Sequence, residues 1–485
     1  MHGDCTVGSV ARHIGGDLHG DGSIVLRDVT HDSREATPGR LFCAIRGFRV
    51  DGHDYVDDAE RSGASGFLVE RLVDSDLPQI LVPDVRVAMA AAAAEVHGHP
   101  SRRMNVIGIT GTNGKTTVTY MLESISRAAG ISCGRVGTLG ATINGVDVPI
   151  ARTTPESSDL QRLLAAMVSE GVEIVAMEVS SHAMVLQRAA SIAFSVAAFT
   201  NLSQDHLDFH SDMDEYFAAK RQLFDGRAAA HVIGTFDRSG RALVDLLSGD
   251  ATTAGFAERD DVRASDIVAG LSASAITLHI SEVSMPTTVR PGGRFNIANA
   301  LVAAACASVV GISLGDIARG LSSTSRIPGR LEAIEMGQPF TVIVDYAHSP
   351  GGVETVVTMA RDLCDGAVIV VVGAAGDRDI AKRPLMGAAA ALAHTAIITS
   401  DNPRSEDPDM LIAAVAVGTR ASSAEVIVEV DRTSAIRLAL DLAQPGDAVL
   451  ILGKGHEAGQ DFGDEVIPFD DREVASSYLE QRWRS

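Results

Sequence analysis

Only four lysines occur in this chain, Lys115, Lys220, Lys382 and Lys454, in a total of 41 lysines and arginines. A sequence that takes nearly all of its positive charge from arginine keeps lysine where a guanidinium does not serve, as a compact point charge or as an amine able to lose its proton and react. Lys115 stands in GITGTNGKTT (108–117). Glycine lets the backbone curl so that the N–H groups of Gly111, Thr112, Asn113 and Gly114 face phosphate oxygens. Lys115 can then reach the β- and γ-phosphates, the Thr116 hydroxyl can bind Mg2+, and the helix start through Thr117 adds its positive end. The spacing departs from G-x-x-x-x-G-K-[ST], because position 109 is Ile and the leading glycine, Gly108, comes one residue early. The loop predicts a nucleoside triphosphate and leaves the reaction open. The N-K-x-D base-reading box of a GTPase is excluded, since none of the four lysines sits in one.

Glu178 closes the apolar run VEIVAME, and His206 closes FSVAAFTNLSQDH. Together with Thr116 they can hold Mg2+ beside a triphosphate. A histidine on Mg2+ is unusual, and a hydrogen-bonded loop histidine is the other reading of His206. In EYFAAKRQLF (215–224), Tyr216, Lys220 and Leu223 recur at i, i+4 and i+7, with Phe217 and Phe224 close by. That spacing turns Lys220 toward the buried side of a helix. Its stem can lie buried with the head reaching water. Alternatively, a neutral amine can take up CO2 as a carbamate, which converts a cation into a carboxylate-like metal ligand, a route closed to arginine.

These residues share a position. NVIGIT runs into the glycine loop, and TVIVDYAHSP, AVIVVVGAAGDRD, TAIITSDNPR and AVLILGKGHE follow the same rule as the Glu178 and His206 segments. Each is a short apolar run with unusual polar residues at its C-terminal end. Alternation of such runs with helical periodicity predicts βαβ units and parallel sheets, whose ligands bind outside the carboxyl ends of the strands. Before residue 100, short β-like runs (GSIVLRDVTHDSR, GRLFCAIRG, GASGFLVE, PQILVPD) precede an Ala-rich helix, VAMAAAAAEVHG. HPSRR (99–103) reads as a linker, and TSRIPGRLEA (324–333) as a second break and hinge. The fold class is α/β with three domains, at 1–100, 101–327 and 328–485.

At 485 residues the chain exceeds one ordinary core. Its formal net charge of −22 excludes a general nucleic-acid or anionic-membrane binder. Five cysteines without a C-x-x-C pair fit a reducing cytoplasm rather than a disulfide framework. MHGDCTVGSVARHIGG has no basic segment leading into an apolar one, so no signal peptide is expected, and no apolar run reaches the ~18 residues of a membrane span.

TGTNGKTT, MEVSSH, NLSQDHLDFH, YFAAKRQLF, GRFNIANA, PGRLE, DYAHSP, GDRDIAKRPLMG, DNPRSEDP and GKGHE, in that order along nearly the whole chain, resemble the Mur ligases. The shifted phosphate loop is that family's own form. The resemblance implies a UDP-binding N-terminal domain, a central ATPase and a C-terminal Rossmann-like domain that brings the incoming amino acid. It implies that Lys220 is carbamylated and supports Mg2+, with Glu178 and His206 as metal ligands. Asn296 then contacts adenine and Asp345 the ribose. Ser33 belongs to the uridine site, and Thr153, Thr154, Ser180 and Arg188 hold the UDP-sugar peptide.

Asp401-Asn402-Pro403-Arg404 goes, in this family, with meso-diaminopimelate rather than L-lysine. The chemistry agrees. The distal head of diaminopimelate carries a carboxylate that Arg404 and Arg378 can bind. Asp401, Asn402 and Glu457 can accept from its ammonium, and Gly453 leaves room. The implied reaction is ATP-dependent joining of meso-diaminopimelate to the D-Glu γ-carboxylate of UDP-N-acetylmuramoyl-L-Ala-D-Glu through an acyl phosphate. It would be carried out by a cytoplasmic monomer with no nucleic-acid partner and no membrane insertion. His348 and Lys382 lie at the cleft edge without an assigned role. Arg152 before the Thr pair, and GHEAGQ without an aromatic residue after Glu457, depart from the family pattern and bear on substrate contacts. Competing readings are an L-lysine-adding or folylpolyglutamate-type ligase, and a nucleotide-binding regulator without ligase chemistry.

Overall fold

The computed structural model describes residues 5–47, 50–206 and 209–483. The chain divides into two compact units. One holds the residues up to Leu202, Phe209–Ala254 and Val302–Asp316. The other holds a short piece beginning at Ser203, Gly255–Leu301, and the chain from Ile317 onward.

The first unit begins with a five-stranded sheet in the order Asp17–His19, Gln79–Leu81, Gly66–Val69, Arg40–Cys43, Asp28–Thr30. The last four strands are parallel and are the four β-like runs of the sequence, while Asp17–His19 is antiparallel at the edge. The Ala-rich stretch is the helix Val85–Val96, capped by the Asp84 side chain on the Val87 N–H. HPSRR is not a loose connection. Pro100–Arg103 form a 3-10 turn with Pro100 and Ser101 buried, and the Ser101 hydroxyl accepts the Ala193 N–H at 3.0 Å. Asp28 fastens this part further. Its carboxylate takes Arg162 Nε at 2.8 Å, His97 Nε2 at 3.0 Å and Arg40 Nε at 3.1 Å. Burial works against the charged form, but His97 and Arg162 outweigh it and hold the carboxyl below its ordinary range.

The larger sheet of this unit runs Thr252–Gly255, Ala228–Gly234, Phe194–Phe199, Asn105–Thr110, Ile174–Glu178, Cys133–Gly137, Gly140–Ile143, Val146–Val148. It is parallel as far as Cys133–Gly137 and antiparallel beyond. Val106, Val175, Met177 and Phe199 pack with Leu160 and Leu164 of the helix Ser157–Ser169. Each such side chain stabilises the fold by about 1.5–3 kcal/mol through burial. One detail differs from expectation. The strand stops at Phe199, so His206 belongs to the loop that follows rather than to a strand end.

The second unit has an antiparallel set, Val262–Val268, Ser274–Ile280 and Val283–Val289. It also has a six-stranded sheet ordered Glu332–Ala333, Thr341–Asp345, Ala448–Leu452, Val368–Val372, Thr395–Ile398, Glu425–Val428, parallel except for its first strand. Val368, Val370 and Val372 enter one core cluster, while Ile369 and Val371 enter the other. Both faces are covered, which is why the sequence shows continuous apolar runs here instead of alternation. Asp345 ends the strand Thr341–Asp345, Gly453 follows its neighbour Ala448–Leu452, and Asp401 lies beyond Thr395–Ile398 of the same parallel sheet. Among the described residues no helix is long and apolar enough to cross a membrane.

Candidate active site

The strand Asn105–Thr110 leads through Gly111–Gly114 into the helix Lys115–Ala128. Gly111 has φ 145 and Gly114 φ 88, and a Cβ on Gly111 would collide with the Thr200 hydroxyl. That hydroxyl donates to Asn113 O at 2.6 Å. Asn201 grips the same stretch, its carbonyl accepting the Thr112 N–H at 2.9 Å and its Oδ1 the Asn113 N–H at 3.0 Å. The first half of the loop is therefore shaped by Thr200 and Asn201, two residues given no role from the sequence. The N–H groups of Thr116 and Thr117, in the first helical turn, have no acceptor within the helix. Lys115 Nζ folds over the loop, donating to Gly111 O at 3.0 Å and Thr112 O at 2.8 Å.

Thr116 and Glu178 meet, with Thr116 Oγ1 donating to Glu178 Oε1 at 2.9 Å. Glu178 is buried, and its other donors are the Thr138 N–H at 2.9 Å and the Thr138 hydroxyl at 3.1 Å. Gly137 is forced here, since a Cβ would strike the Glu178 carboxylate. A buried carboxylate served only by neutral donors lacks the compensation a cation gives. The 2.9 Å separation of Thr116 Oγ1 and Glu178 Oε1 matches the edge of about 3.0 Å between adjacent oxygens of an octahedron with bonds of about 2.1 Å. These residues fit Mg2+. Thr138 is a second contact that the motif pattern did not disclose.

Lys220, on the helix Met213–Arg221, is 1% exposed and donates to Gly111 O at 2.8 Å. Its Nζ lies 4.2 Å from the centroid of the Tyr216 ring, and the Tyr216 hydroxyl donates to Thr112 Oγ1 at 3.2 Å. Lys220 and Tyr216 therefore both reach the phosphate loop.

Next to Glu178, Thr154 Oγ1 donates to the Glu178 carbonyl at 2.9 Å and Thr153 Oγ1 lies 3.2 Å from Thr138 Oγ1. Ser180 caps the short helix Ser181–Val185 through the Ala183 N–H. Arg188 Nε donates to Glu156 Oε1 at 3.0 Å, and Arg152 and Arg86 bind the same carboxylate at 3.4 and 3.3 Å. Three guanidiniums on one buried glutamate leave net positive charge beside Thr153 and Thr154. Burial pulls the Arg188 guanidinium down from its ordinary range. Ser33 lies half-buried in the 3-10 turn Ser33–Glu35, and His31 Nδ1 stands 3.2 Å from Ser158 Oγ.

In the second unit, Asn296 is buried and donates to Gly292 O at 2.8 Å while accepting Asn299 Nδ2 at 3.1 Å. Asp345 accepts the N–H groups of Leu331 at 2.7 Å and Ala347 at 2.8 Å, and burial raises its carboxyl. The Arg330 guanidinium lies over Tyr346 at 4.7 Å, and the His456 ring sits 5.0 Å from the same ring. Burial, then Arg330, lowers His456 to about 4, so it is neutral at physiological pH. Asp205 is 3.6 Å from His206 Nε2 and 3.8 Å from Lys382 Nζ. Burial opposes its charge, but His206, His348 and Lys382 prevail and lower its carboxyl. Leu207 and Asp208 of that motif lie outside the described residues.

The loops after Thr395–Ile398 and Ala448–Leu452 are knitted together. Asn402 Nδ2 donates to Glu457 Oε2 at 2.8 Å. The carboxylate of Asp401 lies over Gly453, which has φ 116 and no room for a Cβ. Arg404, at φ 55, takes its N–H to Asp461 O at 2.9 Å and its Nε to 3.6 Å from Asp461 Oδ2. The Asn402 carbonyl accepts the Gly376 N–H at 2.9 Å and Pro403 O the Glu406 N–H at 3.1 Å, fixing the loop against the segment of exposed Arg378. Beyond GHE, Gln460 is buried and holds Asp401 O at 2.7 Å.

Comparison with known proteins places this arrangement. The Mur ligase family catalytic domain matches residues 26–106, the Mur ligase middle domain 109–307, and the Mur ligase glutamate ligase domain 329–455. The chain is 43% identical over 474 residues to the UDP-N-acetylmuramoyl-L-alanyl-D-glutamate–2,6-diaminopimelate ligase of Geobacillus thermodenitrificans, covering 96% of this chain and 97% of that protein. It is 42% identical over 468 residues to the enzyme of the same name from Streptomyces coelicolor, covering 94% and 92%. A solved structure of a UDP-N-acetylmuramoyl-L-alanyl-D-glutamate–2,6-diaminopimelate ligase superposes with a TM-score of 0.72 at 26% identity, covering 99% of each chain.

Proposed function

The chain belongs to the Mur ligase family, and from that premise we propose that it joins meso-2,6-diaminopimelate to the D-Glu γ-carboxylate of UDP-N-acetylmuramoyl-L-Ala-D-Glu. It is an ATP-dependent, amide-forming ligase of peptidoglycan precursor synthesis. A free carboxylate is a poor acylating agent, so ATP first phosphorylates it. The amine of diaminopimelate then attacks the acyl phosphate, and phosphate leaves from the tetrahedral intermediate. The proposed divisions are a UDP-binding domain at 1–100, an ATP-binding domain at 101–327 and an amino-acid-binding domain at 328–485.

Lys115 and the N–H groups of Thr116 and Thr117 bind and orient the transferring phosphate. Thr116, Glu178, His206 and a carbamylated Lys220 would hold Mg2+, which would supply charge neutralisation for the phosphate oxygens. Thr138 fixes the Glu178 carboxylate through two donors. The arginines around Glu156 offer positive charge to the anionic UDP-peptide, with Thr153, Thr154, Ser180 and Ser33 as polar contacts. Asn296 and Asp345 serve adenine and ribose. The proposed compartment is the cytoplasm, which five free cysteines support, and the proposed state is a monomer.

One observation carries the choice of amino acid. Asn402 and Glu457, from two different loops, join at 2.8 Å beside Asp401 and Arg404. Donors for a carboxylate and acceptors for an ammonium then stand together, as the distal head of diaminopimelate requires. The test is phosphate release with Mg·ATP and UDP-N-acetylmuramoyl-L-Ala-D-Glu, bicarbonate present. Meso-diaminopimelate, L-lysine or no amino acid is added in parallel. Turnover with diaminopimelate alone is expected. Equal turnover with L-lysine overturns the amino-acid choice, and no turnover with either overturns the reaction.

A further inference from the structure

Lys454 has no part in the reaction as described, yet its side chain is fully buried. Burying an ammonium is costly unless it is paired and hydrogen-bonded. Its Nζ donates to Asn402 Oδ1 at 2.8 Å and Glu457 Oε2 at 3.2 Å, and lies 3.9 Å from Asp401 Oδ1. Every one of these partners belongs to the group assigned to the amino acid. Asn402 Oδ1 also accepts the Asp461 N–H at 3.0 Å, so both donors fix the amide with Nδ2 toward Glu457. Glu457 Oε2 is thereby occupied twice.

The charges then balance in a particular way. Asp401 and Glu457 bring two negative charges to the floor of the site, and Lys454 cancels one. A floor of net charge −1 suits one ammonium, and the guanidiniums of Arg404 and Arg378 suit one carboxylate. Resting on the proposed ligase reading, we propose that Lys454 is a specificity-positioning residue. It holds Asn402 and Glu457 in place and trims the floor to one negative charge. The site then prefers a zwitterionic head over a side chain that ends in an ammonium alone. L-Lysine brings no distal carboxylate for these guanidiniums, and without Lys454 a floor of charge −2 would favour its lone ammonium.

The purified full-length chain is assayed for phosphate release with Mg·ATP and the UDP-dipeptide, titrating meso-diaminopimelate and L-lysine separately. Lys454→Met removes charge and donor, and Lys454→Gln keeps a donor for Asn402. Both are expected to raise KM for diaminopimelate by about 30-fold or more. KM for ATP should stay within about twofold, and the preference for diaminopimelate over L-lysine in kcat/KM should fall roughly tenfold. Lys454→Met/Asp401→Asn returns the floor to −1 and should recover part of that preference. An unchanged preference in both single variants overturns the proposal. So does an equal rise in KM for all three substrates with a lowered melting temperature, or failure of both single variants to fold, since each marks a purely structural brace. Absence of wild-type turnover with diaminopimelate would instead defeat the ligase reading itself.

Discussion

Lys220 Nζ stands 2.8 Å from the carbonyl oxygen of Gly111, the glycine that opens the phosphate loop. A buried amine thus reaches the loop proposed to hold the triphosphate, and the Tyr216 hydroxyl reaches it again at Thr112. Lys220→Ala leaves the Gly111 carbonyl without this donor, and Lys220→Arg forces a wider, planar head into a closed space. Both should lower phosphate release about 100-fold or more, the scale of a misplaced reacting group. The carbamate reading adds a second expectation, that bicarbonate-depleted wild type regains activity when bicarbonate is restored. Near-normal turnover by Lys220→Arg would reduce Lys220 to a simple cation.

Gly111→Ala tests the loop from the other side. Its φ of 145 is a glycine conformation, and the added Cβ would meet the Thr200 hydroxyl. The strain, about 1–3 kcal/mol, must be relieved by shifting Thr200 or opening the loop. Calorimetric titration with Mg·ATP should show binding at least about tenfold weaker, while Thr200→Ala in the same background should recover part of it. Unchanged ATP affinity in Gly111→Ala would mean that loop shape does not govern binding.

Much of the strand framework was legible because strands such as Val368–Val372 and Ala448–Leu452 are apolar throughout and lead into polar residues, a pattern local in sequence. Lys220 was legible for a similar reason, as i, i+4, i+7 spacing points a side chain before any tertiary contact is known. Thr138 on Glu178, Asn201 on the phosphate loop and the meeting of Arg86 and Arg188 on Glu156 were not, because each joins segments far apart in the chain. HPSRR was legible as a connection from its composition, but its packing was not, since only the burial of Pro100 and the Ser101 contact show it. His206 was read as a strand end although the strand stops at Phe199, since an apolar run does not show where pairing stops.

Arg432 and Asp471 form a fully buried bidentate pair, both contacts at 2.7 Å. The guanidinium also donates to Leu452 O at 3.0 Å and Ser400 O at 3.4 Å, the residues just ahead of the two loops proposed to bind the amino acid. Burial disfavours the charged guanidinium, but Asp471 outweighs it and raises its pKa. Asp471→Ala strands a buried cation and should cost about 3–5 kcal/mol in denaturant unfolding. The double variant Arg432→Met/Asp471→Leu should regain much of that stability. It should still bind the amino acid poorly, because the Ser400 and Leu452 carbonyls then lose the Arg432 guanidinium. If the double variant is as unstable as the single one, the cost arises from packing and not from the unpaired charge.

His456 gives the acid limb of stability a defined source. Burial against Tyr346, together with Arg330 and Arg472, lowers it from 6.5 to about 4. In the unfolded chain the imidazole titrates near its ordinary value, so between about pH 4 and 6.5 the unfolded state binds more protons. Its contribution is therefore fully present above about pH 6.5 and is lost as pH falls through 4. Unfolding midpoints in urea should drop over that window in the wild type. His456→Gln removes the titration and should flatten this part of the curve, while lowering stability at pH 7.5 through lost packing on Tyr346. A pH slope identical in both proteins would assign the acid limb elsewhere, with Asp28 and its His97 partner next to be tested by Asp28→Asn.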